Sequence, residues 1–253
     1  MKKVMTTLAV ILLVCVASVF ALTACNVKFE TMDGSEYFSA DNKERSVELI
    51  DEFFEETLKD PDLVITCKDK EGAVRYTETV KGTSSCTVYS DGSKTYAFKK
   101  GDHFYVAEIS PSENGAETHT YACSDSTKRG YYAGTQGSTM EDKYNAGYCR
   151  FMSKTEGASL VKELAEEGAT FHCMTHIEWV SNYPTGDLDF SYTADTKTVK
   201  LTANSDGDKV TDARLVITDL ADSANDVDLT WSFVHGGAAV SLPDTDAWDR
   251  ADA

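Results

Sequence analysis

Several catalytic signatures are missing from this chain. No HExxH, no Gly-rich phosphate loop ahead of a helix and no GxSxG elbow occurs in its 253 residues. That leaves a zinc protease, a P-loop enzyme and an α/β-hydrolase without sequence support. No CxxC pair occurs either, which argues against a zinc ribbon or a thioredoxin-type centre. Positive charge is scarce: 24 Lys and Arg against 42 Asp and Glu leave a net charge of −18. Phosphates would be repelled, so no nucleic-acid partner is expected. The same acidity should hold the folded body off anionic lipid head groups. We expect no enzymatic activity, no cofactor and no resident metal.

What is present begins at the amino terminus. Lys2 and Lys3 precede an apolar run, Leu8 to Val14, continuing through Val19-Phe20-Ala21, and small residues lead into Cys25. A charged start, an apolar middle and a small-residue exit form a secretory signal peptide. The tetrad Leu22-Thr23-Ala24-Cys25 resembles the lipobox of bacterial prolipoproteins. That resemblance implies cleavage after Ala24, a diacylglyceryl group on the Cys25 thiol and acylation of the new amino terminus. It makes the membrane a partner through acylated Cys25 and places the protein outside the cytoplasm of a bacterial cell. Two readings stand beside it: an uncleaved anchor, since residues 4–24 are long enough to span a bilayer, and ordinary secretion.

Cys67, Cys86, Cys123, Cys149 and Cys173 remain beyond the leader. Five is odd, so at most two bridges form. The sequence does not reveal the pairing, and small buried apolar roles suit these residues equally well.

Residues 1–24 thus read as signal, 25–42 as a polar lipidated tether, 43–243 as one domain and 244–253 as a polar tail expected to fray. Val47, Ile50, Phe53, Phe54 and Leu58 recur at helical spacing, which predicts an amphipathic helix over roughly 43–59, closed by Asp60-Pro61. Short strands separated by glycine turns follow to Ile109 and predict an antiparallel meander. The segment 110–138 reads as a long loop with a possible strand at 119–124. Ser138 to Glu141 resembles a capping box. Helical spacing then runs through Met140, Tyr144, Tyr148, Phe151 and Met152, and again through Leu160, Val161, Leu164 and Ala165. A second meander runs from Phe171 to Leu242, apolar on one face and polar on the other. The expected fold is α+β: one strongly curved antiparallel sheet of about eleven or twelve strands, a half-barrel covered on its concave face by about three helices.

This element order resembles the LolA/LolB-like half-barrel lipoprotein carriers and related mycobacterial lipid-carrying lipoproteins. The resemblance implies a cavity for lipid or acyl chains between helices and sheet. Its candidate walls are Tyr76, Tyr96, Phe98, Trp179, Phe190, Tyr192, Trp231 and Phe233. For each, ordinary core packing is the competing reading.

Other constellations read as structure. His172 and His176, with Glu178, share the polar face of one strand and could make a weak metal site, but lack a further ligand at useful spacing. Asp187 with Asp189, and Asp226 with Asp228, read as the wet side of strands rather than acid/base pairs. Asn204 to Asp208 reads as a hairpin turn, without the terminal Glu of a calcium loop. The functional expectation is a membrane-anchored lipoprotein that binds or carries an apolar ligand such as a lipid. The alternative is a non-enzymatic structural or partner-binding surface lipoprotein.

Overall fold

A computed structural model describes residues 29–30, 36–112, 115–124, 164, 167–180 and 183–251. In chain order the elements are β1 (Phe29–Glu30), β2 (Glu36–Ala40), α1 (Lys43–Leu58), β3 (Asp62–Asp69), β4 (Val74–Lys81), β5 (Ser84–Tyr89), β6 (Lys94–Lys100), β7 (His103–Pro111) and β8 (Glu117–Cys123). The chain continues with β9 (Thr170–Val180), β10 (Tyr183–Thr193), β11 (Lys197–Asp206), β12 (Lys209–Asp219), β13 (Val227–His235) and β14 (Asp249–Arg250).

All the described strands join one open sheet, in the order β1-β2-β9-β10-β11-β12-β13-β3-β4-β5-β6-β7-β8-β14. Every neighbouring pair is antiparallel except β14 against β8. Two meanders, β3–β8 and β9–β13, meet where β13 pairs with β3, Trp231 opposite Cys67. The short links demanded this: a parallel crossover needs a dozen or more residues. At the turn after β4, Gly82 adopts φ +59, a left-handed conformation that costs glycine little.

The helix forms where its apolar spacing predicts. Asn42 caps it, its side chain accepting from the Arg45 N–H at 3.0 Å. Ser46, Leu49, Ile50, Phe54 and Thr57 form its buried stripe. That stripe packs on β2, β9, β10 and β12. Directly opposed residues in antiparallel strands share a face, so the rows can be followed across the sheet. Phe190, Leu201, Leu215 and Leu229 form one row. Tyr192, Val199, Ile217 and Val227 form the next. All but Val227 belong to, or pack against, the cluster that holds Leu49, Ile50 and Phe54.

The half-barrel covered by about three helices is corrected here. The protein is mostly β, an open sheet, and α1 is its one α-helix among the described residues. Sixteen residues rise only about 24 Å, and strands lie about 4.8 Å apart. One such helix therefore crosses about five strands, whereas the sheet has fourteen. The helices expected around residues 140–152 and 160–165 lie outside the described residues, apart from Leu164, which is buried in the main cluster. Within the stretch expected to be tether, residues 36–40 form β2 against β9.

A second apolar cluster lies on the opposite face. Ser85 on β5 opposes Val80 of the main cluster. Its neighbour Cys86 therefore points the other way, toward Tyr96, Phe98, Ala107, Tyr105, Ile109 and Tyr121. The carboxy-terminal segment crosses to this face instead of fraying. Trp248 packs against the cluster, and the Ala251 N–H donates to the Tyr121 carbonyl at 2.8 Å.

Candidate functional site

The eight aromatic candidates do not form one wall. Tyr76, Phe190, Tyr192, Trp231 and Phe233 lie in the helix-side core, none more than 8% exposed. The Trp231 indole N–H donates to the Tyr76 hydroxyl at 3.0 Å. Phe233 meets Phe54 of α1, ring centroids 6.2 Å apart, and Tyr192 meets Phe171 edge-on at 5.1 Å. Tyr96 and Phe98 belong to the opposite face, and Phe98 stacks on Tyr105 at 5.0 Å. Trp179 lies on β9; its side chain is outside the described residues. The other seven positions are interior packing, and a buried ring is already the partner of its neighbours.

The open concavity lies elsewhere, where the apolar rows run past α1. A cleft of about 450 Å³ is floored by Leu215, Ile217, Val227 and Leu229. Asp69, Lys70, Glu71 and Arg75, from the β3–β4 hairpin, also line it, as do Asp226 and Asp228 at the start of β13. That volume suits a small ligand, and an apolar floor with a few polar groups at the rim is the usual composition of such sites.

The rim charges are mostly engaged. Asp69 holds the hairpin turn through Oδ1, which accepts from the Glu71 and Ala73 N–H groups at 3.1 and 2.9 Å. Asp226 accepts from the Asp219 N–H at 2.8 Å. Arg214 grips Asp228 with two hydrogen bonds, 3.0 and 2.8 Å, and those bonds lower the Asp228 carboxyl below its ordinary value. Lys70 lies 3.7 Å from Glu71. Arg75 is exposed and makes no ion pair among the described residues. The described lining consists of four aliphatic and six charged residues.

The remaining sequence candidates are structural. His176 shares a hydrogen bond with Asp187 at 3.0 Å and lies flat against Tyr37, ring centroids 4.3 Å apart. His172 and Glu178 are exposed. Among the described residues no three His, Cys, Asp or Glu side chains gather to hold a metal ion. Asp189 faces Lys200 at 3.4 Å. Within Asn204 to Asp208, residues 204–206 end β11 and Gly207-Asp208 make the hairpin turn, with Asn204 donating to Asp212 at 2.7 Å. No disulfide joins any two of Cys67, Cys86, Cys123 and Cys173; Cys149 lies outside the described residues. Burial pushes the Cys173 thiol up to about 12 and also raises Cys86, the reverse of what a reactive thiolate needs.

Sequence reasoning missed the cleft. Leu215, Ile217, Val227 and Leu229 belong to the apolar face expected of the second meander, but nothing local says where α1 ends relative to them. No helix among the described residues is long and apolar enough to cross a membrane. No protein-family model, curated protein or solved structure matches the chain.

Proposed function

We propose that this chain is an exported bacterial lipoprotein, tethered through an acylated Cys25, whose folded body binds an apolar ligand of the lipid class without transforming it. The binding place is the cleft on the helix-bearing face beyond the end of α1. One observation carries the reading: four aliphatic side chains floor an open concavity of about 450 Å³ beside an otherwise packed core. Exposed aliphatic surface costs roughly 25 cal/mol per Å², and an apolar ligand recovers that free energy. The lipobox at 22–25 supports the anchor and lies outside the described residues.

Titration of the full chain with the fluorescent probe N-phenyl-1-naphthylamine tests the reading. Saturable binding is expected, weakened about tenfold or more by Leu229→Arg, which places a charge on the apolar floor. Phe98→Leu, in the opposite cluster, should leave it unchanged. Absent binding, or binding indifferent to Leu229→Arg, defeats the ligand reading. The anchor is tested separately by the intact mass of protein recovered from bacterial membranes, which should start at Cys25 and carry acyl groups.

A further inference from the structure

At the opposite end of β12 and β13 from the cleft, Asp60 is the hub of a small polar node. Its carboxylate is 6% exposed. Oδ2 lies 2.7 Å from Lys209 Nζ and 2.8 Å from His235 Nδ1, and Oδ1 accepts from the Asp62 N–H at 2.9 Å. The other ring nitrogen, His235 Nε2, lies 2.9 Å from the Val210 carbonyl oxygen. Both ring nitrogens therefore face acceptors. A neutral imidazole donates from one nitrogen and presents a lone pair at the other; only the imidazolium donates from both. Flipping the ring would set Cδ2 and Cε1 against these acceptors and lose both hydrogen bonds, so this orientation is the one that satisfies them.

We propose that His235 is a proton-dependent latch fastening the carboxy-terminal end of α1 to the sheet, closed while the ring carries both protons and loosened when one leaves. The parts it joins are distinct. Asp60 follows directly on α1, and Thr57 of α1 accepts from the Val210 N–H at 2.6 Å. His235 ends β13, where the carboxy-terminal segment departs. There the Gly236 N–H donates to the Asp62 carbonyl at 2.7 Å and the Ala238 N–H to the Asp62 carboxylate at 2.6 Å.

The other charges facing the node are Lys209 and Asp208 from the β11–β12 turn, Asp62 from β3 and Lys81 of β4, which is paired with Asp62. Lysine keeps its charge and the carboxylates theirs through the range where histidine titrates. The histidine proton is thus the variable element. Its loss sets a lone pair against either Asp60 or the Val210 carbonyl, and the α1–β12 contact should open more often.

Two measurements on the full chain test this. Imidazole ¹⁵N spectra at about pH 6 should show both His235 nitrogens protonated. Hydrogen exchange, corrected for its intrinsic pH dependence, should show the Val210 and Lys59 amides losing about tenfold protection between about pH 6 and about pH 8.5, where histidine discharges. His235→Gln, which cannot charge, should show no such change. An unprotonated nitrogen at about pH 6, unchanged wild-type protection, or the same loss in His235→Gln overturns the latch. Should His235→Gln fail to fold, the wild-type spectra and exchange decide alone.

Discussion

The two faces of this sheet are covered by different means. On one, α1 closes a cluster of 23 buried apolar residues among those described, drawn from the helix, both meanders, β2 and Leu164. On the other, a carboxy-terminal strap brings Trp248 over a cluster whose buried members among the described residues are Tyr96, Phe98 and Ala107. The helix arrives pre-shaped, with a capped start and a continuous apolar stripe. The strap has no regular structure across most of its length and contributes one large ring. The larger cluster should carry the stability; the smaller should mainly position the edge strands.

The largest effect expected from breaking this contrast is at Phe54, 2% exposed under the helix. Phe54→Ala should cost about 3–5 kcal/mol in urea unfolding, as for other buried rings. Asp60→Ala comes next, at about 3 kcal/mol, because Lys209 and His235 lose a buried counter-charge.

A third experiment asks whether the helix-side node behaves as a charge cluster. Burial alone would raise the Asp60 carboxyl; hydrogen bonds from Lys209, His235 and the Asp62 N–H outweigh it and hold the value down to about 2. A depressed carboxylate stabilises the fold above its unfolded value, near 3.9, and that stability is lost as pH falls through the folded value. Wild type should therefore lose about 2 kcal/mol from this group between about pH 5 and about pH 2, a loss absent from Asp60→Asn.

On the strap side, Trp248→Ala should cost only about 1–2 kcal/mol, since the ring is half-buried. A loss matching Phe54→Ala would erase the distinction between the covers. Arg214→Ala, removing an exposed partner of Asp228, should change stability by less than about 1 kcal/mol.

The helix over 43–58 was legible because Val47, Ile50, Phe54 and Leu58 repeat at its period. The strands were legible because alternation and glycine turns are local signals. The spatial order was not: pairing of β13 with β3 joins residues more than 150 positions apart, and a strand's own sequence does not name its neighbour. Glu78, fully buried between Tyr76 and Val80 on β4, was readable as inward-facing by alternation, though its type argues for a surface. Trp248 gave no periodic signal among the aspartates around it. The half-barrel expectation failed because strand count predicts a sheet that must twist, not one that closes around several helices. The cleft was invisible for a related reason: it lies beyond the end of α1, and a strand's own residues do not say where a helix ends.

The cleft's role as ligand site is tested most directly by photo-crosslinking the full chain with an acyl chain carrying a terminal diazirine, followed by peptide mapping. Adducts confined to 215–229 and the 69–75 hairpin are predicted, displaced by excess unlabelled acyl chain. Displaceable adducts at Tyr96, Phe98 or Trp248 instead, or labelling spread evenly over the surface, would contradict the account.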